Sequence, residues 1–269
     1  MFLHAKNRSV RIGDTDMDYV SFGKGKNILI MLPGLADGLK TVKGMALTLA
    51  LTYKAYARDY SVFVFSRKNN IPENYSTRDM AEDQAKAMKI LGIADANVIG
   101  VSQGGMIAQY LAIDHPELVR KLVLAVTLAK PNEVIQSVAG NWISMAEQGD
   151  YKSLMIDTAE KSYSDKYLKK YRYLYPLWGY IGKPKDFTRF LIQAKSCIHH
   201  DAYAELDKIS CAALILGGAR DQIVGEAASV ELADKIEKSE LFIYNDLGHA
   251  AYEEAKDFNK RVLSFLDIG

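Results

Sequence analysis

Five residues constrain this chain more than any others: Gly100-Val101-Ser102-Gln103-Gly104. They stand where an apolar run, Ala96-Asn97-Val98-Ile99, passes into a helix-like run, Met106-Ile107-Ala108-Gln109-Tyr110-Leu111. A serine flanked by glycines at such a junction specifies a strand, a sharp strained turn and then a helix. The turn brings backbone against backbone, and a Cβ at Gly100 or Gly104 would collide. The pattern alone is weak, because a chain of this length meets it by chance roughly one time in ten. Its flanks, and a matching acid and histidine downstream, give it weight.

The flanks belong to a longer rhythm. Val10 to Ile12 and Asp18 to Phe22 form a short hairpin ending at Gly23-Lys24-Gly25. Asn27 to Leu32 and Tyr60 to Phe65 are continuous apolar runs, as expected of strands covered on both faces. Ser76 or Thr77 can cap a helix carrying Met80, Ala87, Met88 and Leu91 at helical spacing, and Gly92 stops it. Ala96 to Val101 is the strand into the turn, Gln103 to His115 its helix, and Lys121 to Val126 the next strand. From Pro131 to about His200 no strand is expected, and two helical stretches are centred on Val134 to Ile143 and Phe187 to Ala194. Then the alternation returns: a strand at Cys211 to Leu216, a helix at Ala227 to Ile236, a strand at Leu241 to Tyr244 and a closing helix at Ala255 to Leu266. Strands separated by helices imply a mainly parallel sheet flanked by helices. The expected organisation is an α/β core in two parts, residues 1–130 and 204–269, interrupted by a helical insertion at 131–203.

A serine hydroxyl attacks only when a base takes its proton. Histidine suits that task near neutral pH, and it needs a carboxylate to fix its tautomer. In a parallel sheet the three must gather at the carboxyl ends of strands. Ser102 does so after its strand, Asp221 after Leu214-Ile215-Leu216-Gly217-Gly218-Ala219-Arg220, and His249 after Leu241 to Gly248. Asp221 and His249 are 28 positions apart, room for one helix and one strand. Asp246 is the rival acid, but it lies only three residues before His249. Asp221 also suits a helix N-cap. An oxyanion needs backbone donors. The amide of Gln103 is one, and Leu35, in the loop Leu32-Pro33-Gly34-Leu35-Ala36-Asp37-Gly38, supplies the other.

Together Leu32-Pro33-Gly34, Gly100 to Gly105, Gly217 to Asp221 and Leu247-Gly248-His249 resemble the α/β-hydrolase superfamily, in its capped, esterase- and lipase-like form. The motifs span almost the whole chain in the family's order. The resemblance implies an α/β-hydrolase fold with a helical cap over 131–203, and a serine hydrolase acting on a carboxylic ester or related acyl bond. Ser102 would be the nucleophile, His249 the base, Asp221 the orienting acid, and Leu35 and Gln103 the oxyanion donors. No cofactor or metal is needed. The superfamily also admits thioesterase, carbon–carbon bond hydrolase, lactonase, aminopeptidase and haloperoxidase-like chemistry, and a small-ligand receptor with little turnover is the alternative outside catalysis. Serine at the turn disfavours haloalkane dehalogenase, which uses Asp there. Pro33-Gly34 stands where the family commonly has His-Gly, and Ser66-Arg67-Lys68-Asn69-Asn70 where it often has an Asp-x-Arg-Gly-x-Gly loop.

The remaining features are modest. The net charge of +1, with both signs interspersed, argues against nucleic acid or an anionic membrane as partner and for a small-molecule substrate. The N-terminal Met1 to Lys6 has no apolar signal core and no run approaches a membrane span, so a soluble cytoplasmic protein is expected. Oligomeric state is not legible. Cys197 and Cys211 read as reduced, buried thiols. Asp14-Thr15-Asp16-Met17-Asp18 opens like a calcium loop, but Tyr19 and Gly25 stand where that loop needs Gly and Glu. Gly23-Lys24-Gly25 precedes a strand, so it is a turn rather than a phosphate cradle. His115, before Pro116, suits a helix end, and His4 the surface. His199 and His200 cannot clasp one metal from adjacent helical positions, though one can face the cleft. The insertion holds Trp142 and Trp178 with Tyr151, Tyr163, Tyr167, Tyr171, Tyr173, Tyr175 and Tyr180, which pack it on the body or line a pocket over Ser102.

Overall fold

Strands occur at β1 (Lys6–Ile12), β2 (Thr15–Phe22), β3 (Asn27–Leu32), β4 (Tyr60–Lys68), β5 (Ala96–Val101), β6 (Val119–Ala125), β7 (Ala212–Gly218) and β8 (Ser239–Tyr244). They form one 8-stranded sheet in the order β1-β2-β4-β3-β5-β6-β7-β8. The pairs β1–β2 and β2–β4 are antiparallel, and every later pair is parallel. The structure, a computed structural model, describes residues 2–179 and 182–267. Its helices are α1 (Ala46–Thr52), α2 (Thr77–Ile90), α3 (Gln103–Asp114), α4 (Glu133–Glu147), α5 (Tyr151–Ser162), α6 (Asp165–Leu168), α7 (Tyr175–Trp178), α8 (Thr188–Ile198), α9 (Ala228–Lys235), α10 (Ala251–Glu254) and α11 (Phe258–Asp267). This is the α/β-hydrolase architecture expected of the chain.

The apolar runs become central strands because both faces are covered. Ile30, Val98, Leu122, Leu124 and Ile215 pack with α2, α3 and α9 through Met80, Met88, Ile107, Leu111 and Leu232. Their alternates Leu29, Met31, Ile99, Val123 and Leu216 pack with α1 and α11 through Ala46, Ala50, Val262 and Phe265. β5 is buried along its whole length. Each large aliphatic chain so buried stabilises by about 1.5–3 kcal/mol. A third cluster joins Met106 and Leu128 to Ile135, Trp142, Leu154, Phe190 and Cys197, seating α4, α5 and α8 on the core. Among the described residues no strand lies between β6 and β7, as the sequence indicated.

Local signals held where their chemistry was explicit. Ser76 closes a capping box with Asp79 at the start of α2, and Gly92 takes φ +67 beyond its end. Others moved. β1 begins at Lys6, because the exposed residues of an outer strand carry no apolar pattern. β7 continues through Gly217 and Gly218, where an added Cβ would meet Ser229 Oγ at 2.3 Å and the Gly248 carbonyl oxygen at 2.4 Å. The closing helix, α11, begins at Phe258 rather than Ala255, because Ala255 is extended (ψ 116) at the end of a separate short helix, α10. Among the described residues no helix is long and apolar enough to cross a membrane.

Candidate active site

Ser102 sits between β5 and α3 with φ 54 and ψ −121, a conformation costing about 1–3 kcal/mol for a residue with a Cβ. Neighbouring chains impose it. The Ser102 amide donates to the Ala125 carbonyl at 2.9 Å, and Thr127 Oγ1 donates to the Ser102 carbonyl at 2.8 Å. A Cβ on Gly100 would stand 2.5 Å from the Gly104 carbonyl oxygen, and one on Gly104 only 1.9 Å from that of Leu32. Both glycines are therefore required by close approach.

The structure brings Ser102, His249 and Asp221 together. His249 Nε2 lies 3.0 Å from Ser102 Oγ, and Nδ1 lies 2.8 Å from Asp221 Oδ2. A carboxylate only accepts, so Nδ1 carries the proton and Nε2 of the neutral ring accepts from the serine hydroxyl. Asp221 Oδ1 accepts from the amides of Ile223 and Val224 at 2.8 and 3.0 Å and so ties down its own loop; it is not a helix N-cap, because the next helix, α9, begins only at Ala228. Asp246 points away from His249: it is 88% exposed and pairs with Arg220 at 3.1 Å. The loops carrying Asp221 and His249 are tied to each other by the Arg220 amide on the Leu247 carbonyl, and to α5 by the Ala250 amide on the Ser162 carbonyl.

Leu35 opens a 3-10 turn, Leu35–Gly38, and Gln103 opens α3. First-turn amides have no partner within their own helix. Among the described residues neither N–H has a protein acceptor. Their loops touch: a Cβ on Gly34 would lie 3.2 Å from Ser102 Cβ. The two amides are thus spare donors on either side of Ser102.

Beneath them lies a buried polar network that sequence reasoning missed. Gln103 Oε1 accepts from Arg67 Nη2 at 2.8 Å, and its Nε2 donates to the Gln193 carbonyl at 2.8 Å. Arg67 Nη2 also donates to the Pro33 carbonyl at 2.7 Å. Arg189 of α8 donates through Nη2 to Asp37 Oδ2 at 2.7 Å and to the Arg67 carbonyl. Burial opposes ionisation of Asp37, but Arg67 and then Arg189 outweigh it and hold its carboxyl below the ordinary value. Asp37, Arg67 and Arg189 come from three distant segments, so no spacing could reveal them. The loop departure at Ser66-Arg67 therefore retains a working arginine.

Ser102 and His249 open into a cavity of about 360 Å³. Met106, Ile135, Ala139, Trp142 and Ile223 give it apolar walls, while Tyr53, Thr158, Tyr252 and Glu253 add polar ones. A larger cavity of about 710 Å³, bordered by Lys166, Lys169, Arg220 and Asp246, includes none of the three central side chains. The insertion tyrosines do not line the 360 Å³ cavity among the described residues. Tyr167 instead stacks on Tyr163 and packs at a tilt against Tyr171, and Tyr180 lies outside the described residues. The cavity's tyrosines come from the core, Tyr53 after α1 and Tyr252 in α10. Neither His199 nor His200 faces it. His200 is buried with Thr77 Oγ1 at 2.9 Å and Gln109 Oε1 at 3.2 Å, and burial lowers its pKa to about 3. His115 pairs with Glu82 at 2.7 Å at the end of α3. Cys211 is half-buried, while Cys197 lies under the cavity, where burial pushes its thiol up to about 12.

A family model for the alpha/beta hydrolase fold matches residues 27–153. The chain is 25% identical over 272 residues to a 2-hydroxy-6-oxononadienedioate/2-hydroxy-6-oxononatrienedioate hydrolase from Pseudomonas sp., covering 97% of this chain and 92% of that one. Two solved structures share the fold. An α/β hydrolase from a Medee basin deep-sea metagenome library superposes with TM-score 0.83 at 21% identity, over 96% of this chain and 97% of that one. The enol-lactonase from Burkholderia xenovorans LB400 gives 0.82 at 19%, over 96% and 99%. The chain has the α/β-hydrolase fold. The Pseudomonas relative and the deep-sea metagenome protein are hydrolases by name.

Proposed function

We propose that this protein is a serine hydrolase that cleaves a carboxylic ester, or a related acyl bond, of a small to medium, partly apolar substrate. The observation that carries the reading is the unbroken relay from Ser102 Oγ through His249 to Asp221, at 3.0 and 2.8 Å, open to an apolar cavity. Ser102 Oγ attacks the acyl carbon while His249 Nε2 takes its proton. The Leu35 and Gln103 amides hold the oxyanion, and losing one such donor typically costs about 2.7–4 kcal/mol. His249 then protonates the leaving group. Water, activated by the same imidazole, releases the acid. Asp221 orients the ring and stabilises its charged form. No step calls for a cofactor or metal. In this reading the helices within 131–203 form the cap and, with the core parts 1–130 and 204–269, decide which acyl group enters.

Carbon–carbon bond cleavage is the second reading, favoured by the name of the Pseudomonas relative. The cavity weighs against a dioate: its lining includes Glu253 and, among the described residues, no Lys or Arg. The test is Ser102→Ala on a panel of p-nitrophenyl esters of increasing chain length. Wild-type turnover lost in the variant by about 10⁴-fold or more is the expected result. Full activity in the variant would end the proposal.

A further inference from the structure

The cavity above Ser102 has a polarised end. Its one carboxylate among the described residues is Glu253, and Tyr53 and Tyr252 line the same space. Glu253 is exposed, yet positioned: Tyr163 donates its hydroxyl to Oε2 at 2.6 Å, leaving lone pairs for a further donor. Its neighbour Glu254 is occupied elsewhere, accepting from the Ser164 amide and hydroxyl at 2.9 and 2.5 Å. Burial, and after it the Glu253 charge, pushes the Tyr53 phenol up to about 12, and the same two causes raise Tyr252 and Tyr163. These rings stay neutral beside the carboxylate. Neutral aromatic faces next to a fixed negative charge suit an ammonium group, through charge and cation–π attraction together.

Position adds the second half. Glu253 follows His249 by four residues, within the single turn that starts from Ala250. In the proposed mechanism His249 hands its proton to the leaving group, and Glu253 lines the same cavity four residues further on. The apolar lining, Met106, Ile135, Ala139 and Trp142, holds no charge.

The geometry points to substrates with an uncharged acyl part and a leaving alcohol that carries a cationic head, seated between Glu253, Tyr53 and Tyr252. This rests on the serine-hydrolase reading and gives that site a substrate class.

The experiment separates the two claims. Three esters of matched shape are titrated calorimetrically into the Ser102→Ala protein: butyrylcholine, its neutral 3,3-dimethylbutyl isostere, and an ester of equal length ending in a carboxylate. The expected order is cationic, neutral, anionic, with the first about tenfold tighter than the second. Adding Glu253→Gln to the same background should reduce that ratio several-fold, to the part that Tyr53 and Tyr252 supply. Equal affinities, or a ratio left unchanged by Glu253→Gln, overturn the cation site. Wild-type turnover of the same esters tests the reading beneath it. Cleavage of all three without preference overturns the cation site and leaves the hydrolase. Tight choline-ester binding with no cleavage of any ester leaves the cation site and overturns the hydrolase.

Discussion

At the scale of single residues, Ser102 keeps its strained backbone because its neighbours leave no alternative. Gly104→Ala would drive a Cβ to 1.9 Å from the Leu32 carbonyl oxygen, a backbone atom that cannot swing aside. Its urea unfolding free energy should fall by more than about 2 kcal/mol. Gly140 lies within α4 with nothing within 4 Å of an added Cβ, so Gly140→Ala should instead gain about 0.5–1 kcal/mol. Equal effects at the two positions would refute the packing account of the turn. His200 supplies a pH prediction. Burial holds its native pKa near 3, below the ordinary 6.5, so the unfolded chain binds more protons between those values. Stability therefore falls as pH falls through that window, by about 2 kcal/mol from this group at pH 5. His200→Gln should remove that part of the acid loss in paired urea titrations at pH 7.5 and 5. An unchanged pH dependence would contradict the buried neutral ring.

At the scale of elements, α8 is fastened to the loop after β3 chiefly by Arg189, with Gln193 beside it. Arg189 donates to the Asp37 carboxylate and to the carbonyls of Asp37, Arg67 and Lys68. Removing it takes one cationic partner from a carboxylate that is 1% exposed and leaves Arg67 and Gln193 beside it; loss of a buried ion-pair partner typically costs about 3–5 kcal/mol. Arg189→Ala should approach that loss and lower kcat more than it alters KM, since the Leu35 loop loses its support. Arg189→Lys should rescue little, because a point ammonium cannot reach acceptors that a planar fork spans. Full rescue by lysine, read in kcat and in urea midpoints, would show that charge alone suffices. This tie also marks the limit of sequence reading. The strands, the turn and the helices α2, α3 and α9 were legible because each announces itself within a dozen residues, by apolar runs, capping residues or glycine. The contacts of Arg67, Asp37 and Arg189 join positions up to 152 apart, and nothing local distinguishes them from surface charges. The same blindness left the tyrosines of 131–203 open between packing and pocket lining, because which face they turn inward depends on packing. Hence Tyr53 and Tyr252 of the core, rather than Tyr163 or Tyr167, border the cavity.

At the scale of the whole molecule, the parallel strands β5, β7 and β8 deliver Ser102, Asp221 and His249 to one end of the sheet. Their order along the chain was readable because topology forces strand ends to converge; their contact distances required the fold. Substrate choice was not readable, since it depends on walls drawn from α4, α5 and α10 together with the loop after β3. The account stands on one claim, that Ser102 is an activated nucleophile. Intact-mass measurement after brief exposure to a fluorophosphonate tests it directly. The account predicts a single adduct on Ser102, absent in Ser102→Ala and formed more slowly by about 100-fold or more in His249→Gln. A folded wild-type protein that takes up no label, or takes it up elsewhere at the same rate in all three proteins, would contradict it.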